Sequence, residues 1–149
     1  MVNPDYGDFF FALNARDARF LVVGAYAVTI HAKPRFTKDL AVWIDPDPRN
    51  AQAVFEALAQ FGAPLEEIAP KDLARPGVVL QIGVAPNRID VMTSVTGLEF
   101  GAAYGRRVAS RYGDCAISIL SREDLIANKR AVGRPQDLVD ADDLERRKP

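Results

Sequence analysis

Residues 36–45, FTKDLAVWID, place a polar turn directly before a mostly apolar segment that has the length of a strand. Successive side chains of a strand point to opposite faces, so residues 40, 42 and 44 form an apolar face and Asp39 and Ala41 lie on the other. A second predicted strand, RIDVM at residues 88–92, likewise puts Asp90 on its less apolar face. An unpaired carboxylate there is unfavourable, so a metal or a cationic partner is expected. Two simpler interpretations stay open: Asp39 as a turn residue, and Asp90 paired with Arg88 or another basic residue.

A glycine turn precedes this strand. Gly24 follows the apolar run FLVV and opens AYAVTIHA, which is typical of a short helix. Glycine between a strand and a helix lets backbone amides approach an anion at the helix N-terminus, although a tight turn alone also explains one glycine. Lys33, Arg35 and Lys38 then lie within six residues of Asp39. A carboxylate that binds Mg²⁺ beside cations suits a nucleotide's phosphates, and a solvated charged loop is the alternative.

The predicted element order is α-β-α-β-α-β-β-(α)-β-α-α, which indicates an α/β or α+β domain with a mixed sheet and helices packed mainly on one side. The clearest helix follows Pro48 and ends at Gly62. Ser121 with Asp124 forms a capping pattern for the first of two C-terminal helices, and Pro135 opens the second. With 149 residues, one domain over 1–149 is expected.

Composition excludes several classes of protein. The formal net charge of −1 gives no overall attraction to nucleic acid or membrane. No apolar run approaches the roughly 20 residues that span a bilayer, and the acidic N-terminus does not resemble a signal peptide. The one cysteine, Cys115, cannot form an internal disulfide and fits a reducing, cytoplasmic location.

FLVVGAYAV followed by PRFTKDLAVWI resembles the signature of the polymerase-beta-type nucleotidyltransferase superfamily. In that signature a glycine turn after a strand is followed by Asp-x-Asp or Asp-x-Glu on the next strand and by a third carboxylate on a later one. With the tail LIANKRAVGRPQDLVDADDL, the chain is similar to small bacterial proteins related to the AbiEii-type toxin nucleotidyltransferases. The resemblance covers most of residues 18–146. It implies transfer of a nucleoside monophosphate from NTP·Mg²⁺ to an acceptor hydroxyl of RNA (such as tRNA), a protein or a small molecule. A toxin–antitoxin role, with an antitoxin or another protein as partner, is implied in the same way.

The resemblance also assigns site residues. Asp39 and Asp90 match the first and third metal carboxylates, and Ala41 stands where the second is expected. Gly24 and Ala25 match the nucleotide-binding turn, where Ala25 replaces the usual glycine or serine. The further nucleotide-binding candidates are Arg35, Lys38 and Lys129.

Ala41 is the serious departure from that pattern. In the superfamily, three carboxylates bind two Mg²⁺ ions. The absence of one of these carboxylates therefore predicts badly impaired transfer. Either a substitution has inactivated an enzyme, or the chain belongs to a lineage that binds nucleotide or protein without catalysis. Both explanations stay open.

Other residues have two interpretations each. Lys129 lies close to the apolar stripe of its helix, so it either extends to the surface or points into a cleft. Trp43 could stack on a base or lie in the core. Arg106, Arg107 and Arg111 form a basic patch without nearby acids, which could bind RNA or lie on a solvated edge. Asp137 and Asp140 are expected to form structural ion pairs with Arg134 or Lys129.

Overall fold

A computed structural model describes residues 3–32, 39–84 and 87–146. Its helices and strands follow one another in the order α1 (Pro4–Ala15), β1 (Phe20–Val23), α2 (Gly24–His31), β2 (Asp39–Ile44), α3 (Pro48–Phe61), β3 (Val79–Ile82), β4 (Arg88–Met92), α4 (Phe100–Gly105), β5 (Val108–Tyr112), β6 (Cys115–Ile119), α5 (Arg122–Val132) and α6 (Pro135–Arg146). A 3₁₀ turn, Pro70–Ala74, lies between α3 and β3.

The strands of the described chain form one mixed sheet in the order β3-β4-β2-β1-β6-β5. β2 is parallel to β4 and β1 is parallel to β6, whereas the pairs β1–β2, β3–β4 and β5–β6 are antiparallel. The N-terminal ends of β2 and β4 therefore lie at the same end of the sheet as the C-terminal end of β1. The start of α2, which follows β1 directly, is thus close to the first residues of β2 and β4.

The main hydrophobic core lies between the sheet and the pair α1–α3. Phe10 of α1 stacks on Phe20 of β1 with ring centroids 5.8 Å apart, and Phe9 meets Phe61 of α3 edge-on at 5.7 Å. Val42 belongs to the sheet face beneath these helices and is fully buried. The opposite face carries Asp39, Ala41 and Asp90 at its polar end, whereas Trp43 on the same face is buried against Phe100 of α4.

Helix ends follow the predicted capping chemistry. The Asp47 carboxylate accepts hydrogen bonds from the first amides of α3, and Gly62 ends that helix in the left-handed region. The Ser121 hydroxyl accepts from the Asp124 amide at the start of α5. Gly133 ends α5, and Pro135 begins α6 as expected.

The predicted element order lacks one strand, β5 (Val108–Tyr112), which the structure adds between α4 and β6. It lies at the sheet edge, where only one side of the strand is paired and polar residues are tolerated. The segment DFFFALNA predicts a helix that starts at Asp8, and this start is wrong: α1 begins at Pro4, where the Asn3 side chain caps it.

Candidate nucleotide site

The parallel pairing of β2 with β4 brings the predicted carboxylates together. In the register, Asp39 lies beside Arg88 and Ala41 lies beside Asp90. These four residues share a sheet face, since side chains two apart on a strand point the same way. On the other side of β2, Val23 is the partner of Ala41. Position 41 therefore lies between the end of β1 and Asp90.

Arg88 pairs with both carboxylates. Its Nη2 donates a hydrogen bond to Oδ2 of Asp39 at 2.6 Å, and its Nε lies 3.4 Å from Oδ1 of Asp90. The second contact is an ion pair without a hydrogen bond: both atoms are buried, and neither has a hydrogen-bond partner. The Arg88 alternative raised for Asp90 thus holds in the structure, and it extends to Asp39.

Gly24 forms the turn from β1 into α2 with a φ of +71°, a region that L-residues with a side chain rarely adopt. A Cβ placed on Gly24 would lie 3.2 Å from the Cβ of Ala41. No side chain caps the first amides of α2, whose second residue is Ala25. A side chain at position 41 therefore points toward the glycine turn.

Burial shapes the electrostatics of this site. It raises the pKa of Asp90 above its usual value, Asp39 raises it further, and Arg88 opposes the shift. The pKa of Tyr6 is raised mainly by burial, with Asp39, Tyr112 and Asp90 adding to the effect. Tyr6 donates a hydrogen bond to the Arg88 carbonyl at 3.2 Å. Sequence reasoning missed Tyr6, because nothing in α1 indicates which distant strand end it reaches.

The residues present do not fit two divalent cations. Within residues 3–32, 39–84 and 87–146, no group of three or more histidines, cysteines, aspartates or glutamates is close enough to bind a metal. Asp39, two residues before position 41, and Asp90, its partner on β4, carry carboxylate oxygens, and both already pair with Arg88. A pair of Mg²⁺ ions requires shared carboxylates between them, and Ala41 offers no oxygen.

Lys129 lies in a buried ion-pair network between α5 and α6. Its Nζ is 3.4 Å from Oδ1 of Asp137 and 3.3 Å from Oδ2 of Asp140. Arg134 donates to Asp137 at 2.6 Å, and this hydrogen bond lowers the pKa of the Asp137 carboxyl. The expected structural pairing of the two aspartates is therefore present.

The other side chains that the sequence suggested for the site have separate outcomes. Trp43 is buried and meets Phe100 edge-on at 5.1 Å, so it belongs to the core. The expectation that the arginine patch has no nearby acids is wrong, since Arg106 forms two hydrogen bonds with Asp124, at 2.9 and 3.0 Å. Three cations predicted before Asp39 lie outside the described residues: Lys33, Arg35 and Lys38.

Comparison with known proteins supports the fold. No family model matches the chain, and no curated protein matches its sequence. Among solved structures, the chain is similar to the lincosamide antibiotic adenylyltransferase LnuA in its lincomycin-bound crystal structure. The TM-score is 0.61 at 12% sequence identity, and the alignment covers 99% of each chain. The protein therefore has a nucleotidyltransferase-like fold, as its mixed sheet and helices were predicted to form. None of the helices in the described part of the chain is long and apolar enough to cross a membrane.

Proposed function

We propose that this chain binds a nucleoside triphosphate at the Gly24 turn and that Ala41 impairs transfer of its nucleoside monophosphate to an acceptor hydroxyl. The observation that carries the proposal is the placement of position 41. It lies beside Asp90 in the sheet, two residues after Asp39, and against the turn that opens α2. This placement supports the proposal, because a carboxylate at position 41 would complete a set of three with Asp39 and Asp90.

Nucleotide binding rests on the turn. The uncapped amides at Gly24 and Ala25 begin α2, and a helix N-terminus with a close backbone approach favours a phosphate. Arg35 and Lys38 are proposed to add positive charge from the segment before Asp39. Direct phosphate contact by Lys129 stays a prediction, and phosphate would have to compete with Asp137 and Asp140 for its ammonium group.

Transfer requires the acceptor oxygen to attack the α-phosphorus while the bond to pyrophosphate breaks and the hydroxyl proton leaves. Asp39 and Asp90 are proposed to face this reaction centre. Without an oxygen donor at position 41, the developing charge loses several kcal/mol of stabilisation, and each 1.4 kcal/mol slows the reaction about tenfold. We therefore expect binding to persist and transfer to be slow.

The acceptor is proposed by class. The superfamily resemblance allows RNA, a protein or a small molecule, and LnuA, which has a similar fold, is an adenylyltransferase of lincosamide antibiotics. A toxin–antitoxin role with a protein partner in a bacterial cytoplasm is proposed on the resemblance to AbiEii-type proteins alone.

A second candidate function is a non-catalytic nucleotide- or protein-binding module. One observation favours it: the Arg88 guanidinium already neutralises part of the charge on Asp39 and Asp90. In such a module the Arg88 guanidinium balances the charge of the two carboxylates, and no catalytic metal is needed for this.

Thermal stability with and without nucleotide tests the binding step. A ligand that binds only the folded state at 100 times its Kd adds about 2.7 kcal/mol to the free energy of unfolding. We expect NTP to raise the Tm of the chain, and Arg35→Gln with Lys38→Gln to reduce that rise. Arg49→Gln is the matched control, because Arg49 lies on α3, which follows the opposite end of β2. Unchanged Tm values at saturating ATP, GTP, CTP and UTP would contradict the proposal.

A further inference from the structure

The Arg88 side chain occupies the space between the two carboxylates of the candidate site. Its Nη2 contacts Asp39 at 2.6 Å and its Nε contacts Asp90 at 3.4 Å, so one guanidinium bridges both acids. The bridge spans two strands, since Asp39 belongs to β2 and Asp90 to β4. A bridging cation between carboxylates on neighbouring strands is the role that a divalent cation has in two-metal sites.

The position of Arg88 in the fold keeps its guanidinium within reach of both carboxylates. Arg88 is the sheet partner of Asp39 and precedes Asp90 by two residues on the same face. Its backbone carbonyl also accepts the Tyr6 hydrogen bond, which ties the start of β4 to α1. A tethered cation acts at an effective concentration in the millimolar range or above.

Charge and ligand number then disfavour a divalent cation. Two carboxylates and one guanidinium leave a single net negative charge at this site. Mg²⁺ prefers six oxygen ligands in near-octahedral geometry, and a neighbouring guanidinium repels it. The absence of an oxygen at Ala41 removes the ligand that would favour the ion over the arginine.

We propose that Arg88 is the resident cation of this site and that it prevents a divalent cation from binding to Asp39 and Asp90. Nucleotide bound at the Gly24 turn is then held without a metal bridge to these carboxylates. This last consequence rests on the proposed function. The exclusion of the metal does not, because it can be measured without nucleotide.

Titration with Mn²⁺, followed by the electron paramagnetic resonance signal of the free ion, tests the proposal directly. We expect Arg88→Gln to bind Mn²⁺ at least about tenfold more tightly than the unchanged chain, since removal of one adjacent unit charge is worth more than 1.4 kcal/mol. The matched control is Arg75→Gln, which removes an arginine from a comparable pair with Asp72 at 2.7 Å. That control should bind Mn²⁺ as the unchanged chain does.

Adding Asp39→Asn to Arg88→Gln should abolish the gain and thereby locate the ion. A gain of less than threefold in Arg88→Gln, or a gain that survives Asp39→Asn, would overturn the proposal. If Arg88→Gln does not fold, the unchanged chain is sufficient: submillimolar Mn²⁺ binding that Asp39→Asn removes would also overturn it. Failure of nucleotide binding in the thermal assay would refute the proposed function and leave this result intact.

Discussion

Substitution of Lys129 by methionine should destabilise the fold strongly. The side chains of Lys129, Asp137 and Asp140 are 10%, 3% and 2% exposed, respectively, so all three charges are largely removed from water. Loss of one member of a buried ion pair typically costs about 3–5 kcal/mol, because the partner charge stays buried without compensation. Asp137 retains Arg134, and Asp140 retains a hydrogen bond from Gln136, so we expect about 3 kcal/mol.

Urea unfolding of both chains measures this difference. Arg130→Met is the matched control on the same helix, because Arg130 contacts Glu145 at 3.1 Å with both side chains about half exposed. Exposed pairs contribute about 0–1 kcal/mol, so the control should lose little stability. The double variant Lys129→Met with Asp140→Asn should recover part of the loss, since one buried carboxylate is removed. A loss below about 1 kcal/mol for Lys129→Met would refute the structural role of the network and favour a lysine that faces the nucleotide.

Three further predictions concern the turn and two aspartates. Gly24→Ala should lower the free energy of unfolding by about 1–2 kcal/mol because of its positive φ, and the close contact with position 41 should lower it further. Gly77→Ala is the control, since Gly77 has a φ of +76° but open space around it and should show only the first loss. Chemical denaturation measures both variants. The folded-state pKa of Asp137 is lowered, so its stabilisation is present at neutral pH and is lost as pH falls through that pKa; Asp137→Asn should flatten the acid limb of the Tm–pH profile. The folded-state pKa of Asp90 is raised, so ionisation of this carboxyl reduces the stability of the fold as pH rises through that pKa. Asp90→Asn should therefore raise or maintain the Tm at pH 7. The difference in Tm between the two chains should vanish in acid. A clear drop in Tm for Asp90→Asn at pH 7 would contradict the burial argument.

Local sequence rules predicted much of the fold. The glycine turn, the carboxylate strand, α3 and the two C-terminal helices each have a short-range signal: a cap, a proline, a glycine or an alternating pattern. They appear where expected because those signals act within a few residues. Strand β5 has a local signal that was not used: Gly113 and Asp114 form a two-residue turn between β5 and β6, and a Gly-Asp pair in this place is typical of a β-hairpin.

Contacts across the sheet were harder to predict. The alternation rule placed Asp39 and Asp90 on polar faces, but it could not fix the strand order that makes β2 and β4 neighbours. Arg88 was recognised as a possible partner of Asp90 because it lies two residues away. Its stronger contact with Asp39 depends on the parallel register, and the approach of Tyr6 depends on how α1 packs. Neither has a local sequence signature.

Position 41 is where sequence and structure bear most directly on function. By the superfamily resemblance Ala41 stands where a carboxylate is expected, and the structure places that alanine between the glycine turn and Asp90. An aspartate there would add a third carboxylate and increase the net negative charge beside Arg88. Divalent cation binding should then become more favourable.

Transfer of label from α-labelled NTPs tests this claim most directly. The unchanged chain and its Ala41→Asp variant would be incubated with Mg²⁺ and each NTP, and with total RNA, lincomycin or the protein itself as acceptor. Ala41→Asn serves as the control of similar size without the charge. We predict labelled acceptor with Ala41→Asp and little or none with the other two chains. Equal labelling by all three chains, or none by Ala41→Asp when NTP binding is demonstrated, would contradict the assignment of position 41 as the missing carboxylate.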